Sequence, residues 1–370
     1  RSAVSQTNEG RSQRQIGERW VRALSLVAVT VATWMLCTLM GGTWMFVGRN
    51  MHPHEALVEV DPISLAYVFL ALFASLLLVP SLLGLLTQAA RANLGGREEH
   101  LAVLRLIGAT AGEVRGMMIL ESLRQALVGL VLGSVLYVVT CPAWSLLTFQ
   151  EKRVGTWEIF TWWVIPAAWI VVLVLAACSV WLALRRVAVT PLGVTKKIPP
   201  KGQSWVTLAL SVVGAVLLYR YLSSLTIAPE ADALEFVPVL VVAGGILTVN
   251  ALIAVGIIQL LARLSYRVPG AANYVATRRV GRGARTTWKR VTALYFVAFI
   301  GSYGTWVSAI PSFEEDPVIK MITGDIPSGV VITVVFAAVL MVSSTLLTQV
   351  LSVVEQKQLT KSFYFIGAPA

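Results

Sequence analysis

The sequence predicts an all-α polytopic membrane protein, and three observations carry that reading. Of its 370 residues, 56% are hydrophobic and only 13% are charged, against about 25% charged in a soluble domain. Apolar runs long enough to cross roughly 30 Å of hydrocarbon as a helix recur along the whole chain. The segments between those runs alternate between basic and acidic. A spanning segment must satisfy its backbone hydrogen bonds internally, which leaves helices or a closed barrel. A barrel would show alternating segments of about ten residues, and these runs do not alternate.

Eight transmembrane helices are predicted, at about 24–47, 63–87, 117–141, 162–184, 205–222, 234–262, 291–310 and 329–354. The polar amino terminus, RSAVSQTNEGRSQRQIGERW, is too long for the charged start of a secretory signal. No small-residue cleavage site follows the first run, so that run is read as a true span.

The loops fix the expected orientation. Basic residues gather before the first span (Arg1, Arg11, Arg14, Arg19, Arg22) and after the second (Arg91, Arg97, Arg105, Arg115). They gather again after the fourth (Arg185, Arg186, Lys196, Lys197, Lys201) and the sixth (Arg263, Arg267, Arg278, Arg279, Arg282, Arg285, Lys289, Arg290). The other loops carry Glu55, Glu59 and Asp61; Glu151 and Glu158 beside Lys152 and Arg153; Glu230, Asp232 and Glu235; and Glu314, Glu315, Asp316 and Asp325. Since cytoplasmic loops accumulate Lys and Arg, the amino terminus and the exit of every even-numbered span are expected in the cytoplasm. This also accounts for the net charge of +11 without nucleic acid, which is not expected as a partner. Trp44, Trp157, Trp162, Trp163 and Trp306 fall at outer span ends and Trp20, Trp205 and Trp288 at cytoplasmic entries, where indole rings anchor depth.

The outer loops are all short, too short for a sizeable extracytoplasmic domain. In the first of them, His52-Pro53-His54-Glu55 offers two histidines without further ligands nearby, a solvated loop rather than a metal site. Cys37, Cys141 and Cys178 lie in or beside apolar runs and read as small core residues. The spans are almost free of acids, which argues against an ion-coupled carrier. Asn250 and Gln259 in the sixth span are polar groups expected to face protein, by interhelical hydrogen bonding or along a substrate path.

A repeat underlies the pattern. Trp20-Val21-Arg22 before the first span resembles Trp288-Lys289-Arg290 before the seventh, and Ile107-Gly108-Ala109 after the second resembles Ile366-Gly367-Ala368 after the eighth. Both copies start on the same side, so the repeat is parallel. The fifth and sixth spans form a two-helix connector outside it. The expected division is 1–23, a cytoplasmic segment; 24–195, a first repeat unit; 196–284, linker and connector; and 285–370, a second unit cut short. If that second unit is complete in the native protein, two spans follow Ala370 and the total is ten.

The longest polar interruption is Arg97–Gly133. Leu101, Leu104 and Ile107 fall at helical spacing, with Arg97, Glu98, Glu99 and Arg105 largely off that stripe. Gly108 is expected to end that helix. Thr110-Ala111-Gly112-Glu113 has the spacing of a capping box, so a new short helix is expected to start there and turn towards the third span. Glu121 and Arg124, at i and i+3, can pair on one helix face. Gly129 and Gly133 allow close helix approach, within the chain rather than between copies.

This stretch resembles the signature of FtsX-like permeases, the membrane subunits of ABC systems related to MacB, LolC/E and BceB. A charged helix ending in Ile107-Gly108-Ala109 leads through a short turn to Glu121 and a glycine-rich span, and Pro191-Leu192-Gly193-Val194 resembles the domain's usual ending. The resemblance implies tandem parallel four-helix repeats and a permease with no chemistry of its own. It implies a separate cytoplasmic ABC ATPase, two copies per permease, which would hold the ATP and Mg; no cofactor is expected in this chain, which lacks GxxxxGK[ST]. It assigns ATPase coupling to Arg97, Glu98, Arg105, Gly108, Ala109, Thr110, Glu113 and Arg115, and to Gly367 and Ala368 in the second copy. The expected location is the bacterial cell membrane. The short outer loops depart from the family, so either an extracytoplasmic or small membrane partner supplies that part or the spans act on a substrate in the bilayer. The expected function is export or extraction of a hydrophobic or amphipathic compound (an antimicrobial peptide, lipid or drug); the alternative is a non-transporting signalling subunit.

Overall fold

The computed structural model describes residues 2–52, 63–92, 111–187, 205–224, 237–265, 270–284 and 317–365, with residues 287, 288, 292, 295, 298, 301 and 302 between the last two segments. Among the described residues it is all-α apart from one very small hairpin. The helices are α1 (Ser2–Met51), α2 (Ile63–Ala92), α3 (Ala111–Thr140), α4 (Thr156–Ile159), α5 (Val164–Val187), α6 (Trp205–Ser224), α7 (Val237–Leu264), α8 (Ala271–Arg282) and α9 (Pro317–Phe365). After α3 come a 3-10 turn at Cys141–Leu146 and strands β1 (Thr148–Phe149) and β2 (Lys152–Arg153).

Among the described residues, four stretches are long and apolar enough to cross a membrane: Arg19–Met51, Leu65–Ala90, Ile119–Leu146 and Gly324–Leu351. Shorter apolar helices cover Val164–Cys178, Val206–Tyr221 and Thr248–Leu264. These coincide with seven of the eight expected spans. The seventh, 291–310, lies mostly outside the described residues, with helical positions at Thr292, Tyr295, Ala298, Gly301 and Ser302.

The structure redraws several boundaries. The polar amino-terminal segment is continuous with the first span in one helix of 50 residues. Among the described residues no separate short helix precedes the third span: from Ala111 the helix runs unbroken to Thr140. The helix of the eighth span starts at Pro317, not near 329, so Asp325 and Pro327 lie inside it and not in a loop. Pro327 falls at its eleventh residue, where its missing N–H leaves one carbonyl of the preceding turn without its helical donor. Cys37 and Cys141 are buried as expected, but Cys178 is exposed on α5.

Two seams give the bundle its form. Along the first, α3 lies parallel to α1 in a constant register. Nε2 of Gln125 donates to Oγ of Ser25 at 3.1 Å, 100 residues away, and Gly129 and Gly133 face Val29 and Thr33 at that same separation. A Cβ on Gly129 would stand 2.7 Å from Cγ1 of Val29, and one on Gly133 would stand 2.6 Å from Cβ of Thr33. Only glycine allows the two backbones this close, and close approach maximises dispersion contact where lipid supplies no hydrophobic drive. At the far end Nε1 of Trp34 donates to Oγ1 of Thr140 at 2.9 Å.

Along the second seam, α9 lies parallel to α2. The Tyr67 hydroxyl reaches Asp325, 258 residues away, while Oε1 of Gln88 accepts from Ser344 at 3.1 Å and Thr348 at 2.9 Å, 256 and 260 residues away. Ala28, Ala32 and Met35 of α1, Leu78, Leu82 and Leu85 of α2, Leu130 of α3, and Phe336, Leu340 and Leu347 of α9 share one buried core. The last described helix therefore packs into the first helices of the chain. The connector is an antiparallel hairpin: Gly256 of α7 meets Leu208 of α6, and Gly245 meets Leu218.

Hydroxyl side chains inside the spans are neutralised locally. Thr30, Thr33, Thr38, Thr43, Thr87, Ser134 and Thr333 each donate to the carbonyl four residues earlier. That bond removes the penalty of an unpaired hydroxyl in an apolar setting.

Candidate functional site

The proposed coupling element is only partly visible. Arg97, Glu98, Arg105, Gly108, Ala109, Thr110, Gly367 and Ala368 lie outside the described residues, and so does the Thr110 half of the expected capping box. Glu113 lies in the first turn of α3, where a carboxylate is favoured by the helix dipole. Gly112, Glu113, Gly116 and Met117 are all exposed, ahead of the apolar stretch that begins at Ile119. Arg115 occupies the same projecting turns. The start of α3 is thus a helical turn with exposed residues, continuous with a span.

Glu121 and Arg124 are both exposed at the mouth of that span. Gly129 and Gly133 are buried in the α1 seam. Nδ2 of Asn250 donates to the Tyr295 hydroxyl, joining the connector to the helical residues of the seventh span. Gln259 is buried on α7. No group of three His, Cys, Asp or Glu side chains suited to a metal occurs among the described residues. Of the histidine motif only His52 is described, and it is exposed.

The opposite end of the bundle holds a polar network that the sequence did not disclose. It centres on Arg49, at the end of α1 and 4% exposed. Its Nη2 donates to Oε2 of Glu158 at 2.7 Å and to the Arg153 carbonyl at 3.2 Å. Its Nε donates to the same carboxylate oxygen at 3.1 Å, and its Nη1 to the Phe149 carbonyl at 2.8 Å. A planar guanidinium with five donors suits such a set, which a lysine could not reproduce. Nζ of Lys152 holds the other Glu158 oxygen at 2.7 Å. Burial pushes the Glu158 carboxyl up, but the bonds from Lys152 and Arg49, the Arg49 charge and the Gly155 amide outweigh it and hold the group down to about 2.

The network explains the hairpin. Two residues, Gln150 and Glu151, join β1 to β2 with φ of 57° and 60°. That is the twist of a type I′ turn, usually built from Asn or Gly. Non-glycine residues there cost on the order of 1 kcal/mol each. Arg49 offsets this by gripping both strands, at the Phe149 and Arg153 carbonyls. Oδ2 of Asp325 accepts the Gln150 amide at 2.7 Å and the Tyr67 hydroxyl at 2.6 Å. One compact cap is therefore tied to α1 and α4 through Arg49, and to α2 and α9 through Asp325.

Sequence reasoning passed over Arg49, Tyr67, Gln88 and Gln150. Two signals were available. Arg49 is a cation at a span end whose loop is otherwise acidic, and Gln88 is an amide in an apolar run; their partners are 100 residues or more away.

The model of the FtsX-like permease C-terminal domain matches residues 71–192, which run from α2 through α3 and the cap to just beyond α5. No curated protein and no solved structure matches the chain.

Proposed function

We propose that this chain, a polytopic all-α membrane protein with an FtsX-like permease domain at residues 71–192, is the membrane permease subunit of a MacB/FtsX-type ABC transporter. Proteins of this family are membrane subunits that work with a separate ABC ATPase. In this reading the ATPase binds ATP and Mg, docks on the cytoplasmic start of α3 around Ala111–Gly116 and on the equivalent stretch near Gly367, and drives export or extraction of a hydrophobic or amphipathic substrate. The amino terminus is cytoplasmic and the hairpin cap faces outward, in the bacterial cell membrane.

One observation supports the two-motor form above all. The α2–α9 pairs are separated by 256 to 260 residues, and the two Ile-Gly-Ala motifs by 259. Equivalent helices of the repeat thus pack side by side at equivalent depth, as parallel repeats about an axis along the membrane normal would. In this reading both coupling ends lie on one face, where a pair of closing ATPase subunits can push on both.

Purification of the permease with its ATPase tests the reading. The expected result is two ATPase chains per permease, hydrolysis raised by a hydrophobic peptide, lipid or drug, and association weakened at least tenfold by Glu113→Lys. A permease that retains no ATPase would sink it. Hydrolysis that follows an extracytoplasmic protein partner and ignores every small amphipathic compound would favour the signalling alternative, for which the cap offers a structured docking surface.

A further inference from the structure

Between Arg263 and Arg290 the chain carries seven arginines, one lysine and no acidic residue. The centre of this stretch is α8, and its packing decides which face of the helix carries the arginine positions. Nδ2 of Asn273 donates to the Ser265 carbonyl at 2.8 Å, Thr277 is buried, and the Cβ position of Gly281 lies 3.5 Å from Ala262. These residues, four apart, form the face that α8 sets against the end of α7. At about 100° per residue, Arg278, Arg279 and Arg282 fall within an arc of roughly 100° on the opposite side.

The same contacts place α8 at the end of α7, where the apolar run stops at Leu264. Tyr274 and Val280 are exposed there. The Arg278 guanidinium sits 5.6 Å from the Tyr274 ring centroid and donates to its hydroxyl at 2.8 Å, so the cation is positioned by a residue suited to the headgroup layer.

We propose that α8 binds anionic phospholipid headgroups at the membrane surface. A short amphipathic helix lying in the interface with a basic face is built for that task, and clustered Arg and Lys beside a span are attracted by anionic lipid. The sign pattern separates this surface from the coupling stretch, where Arg97, Glu98, Glu99, Arg105, Glu113 and Arg115 mix both charges. A face of one sign only suits a uniformly anionic surface.

The test uses the full chain in a neutral detergent, offered phosphatidylglycerol and phosphatidylcholine in equal amounts, with retained lipid counted by native mass spectrometry. Phosphatidylglycerol should be retained preferentially, and less so as salt is raised. Each cation near an anionic surface contributes roughly fivefold in affinity, so replacing Arg278, Arg279 and Arg282 by Gln should weaken retention on the order of a hundredfold. Lysine at all three positions should restore most of it. If the triple glutamine variant does not fold, Arg278→Gln alone should still cost about fivefold. Equal retention of the two lipids, or a preference untouched by the glutamine variant, would overturn the proposal. Loss of a co-purifying protein with no lipid preference would overturn it in favour of a protein-docking face. Because lipid is counted on the isolated chain, the result is independent of whether an ATPase drives it.

Discussion

The hydroxyl of Tyr67, near the start of α2, donates to Oδ2 of Asp325 near the start of the apolar part of α9, at 2.6 Å and across 258 residues of sequence. The same oxygen accepts the amide of Gln150 at the hairpin turn. One carboxylate thus fixes the level of two helices and the orientation of the cap between them.

Removing that acceptor should be costly and non-additive. A hydrogen bond to a charged group contributes about 1.5–3 kcal/mol, so Asp325→Ala should lower stability by roughly 3 kcal/mol and Tyr67→Phe by about half as much. In thermal or denaturant unfolding in detergent, Tyr67→Phe should cost little once Asp325 is gone. Fully additive losses would show that the two side chains do not interact.

The α1–α3 seam depends on missing side chains. With a methyl group at Gly129 only 2.7 Å from Val29, Gly129→Ala should destabilise by about 1–3 kcal/mol, and Val29→Ala should partly relieve it in the double variant. Gly112 has nothing within 4 Å of its Cβ position, so Gly112→Ala should be neutral or stabilise by up to about 1 kcal/mol, the helix-propensity difference. Equal effects at the two glycines would contradict the seam.

Parallel packing of α2 and α9 can be checked by cross-linking. In a variant without native cysteines, Gln88→Cys with Ser344→Cys should join under a short thiol cross-linker, because Gln88 bonds to Ser344 directly. Gln88→Cys with Asp325→Cys should not, since 19 residues of helix put those positions about 28 Å apart in depth. A reversed pattern would mean that the helices run antiparallel.

The cap's pH dependence follows from Glu158. Its folded-state carboxyl is held at about 2 against an ordinary value of 4.5. A depressed value means that the ionised form is favoured by folding. The contribution is therefore complete above about pH 4.5, and is lost as pH falls through the interval down to about 2. Glu158→Gln should lower the unfolding midpoint at neutral pH, and the gap to the parent should close over that acid interval. A gap that is constant with pH would remove the ion pair with Arg49 as its cause. Arg49→Lys should fail to restore the hairpin, since a single ammonium cannot grip Phe149, Arg153 and Glu158 together.

The sequence by itself determined the membrane-spanning class and the places of the described spans. Those properties are local: a run of apolar residues meets the bilayer wherever it stands in the chain, and a helix closes its own hydrogen bonds. Residues 71–192 also carried, in linear order, the pattern that the FtsX-like permease C-terminal domain model matches. Tertiary structure alone decided that α9 lies beside α2 in a register of 256 to 260 residues, that Asp325 belongs to a helix and not a loop, and that Arg49 is the post holding the cap. Each of those facts depends on partners 100 or more residues away, and local hydropathy carries no information about distant partners. Asp325 shows why: beside Glu314, Glu315 and Asp316 it reads as one more solvated acid, and only the Tyr67 hydroxyl and the Gln150 amide, brought to it by packing, make its place inside a helix favourable.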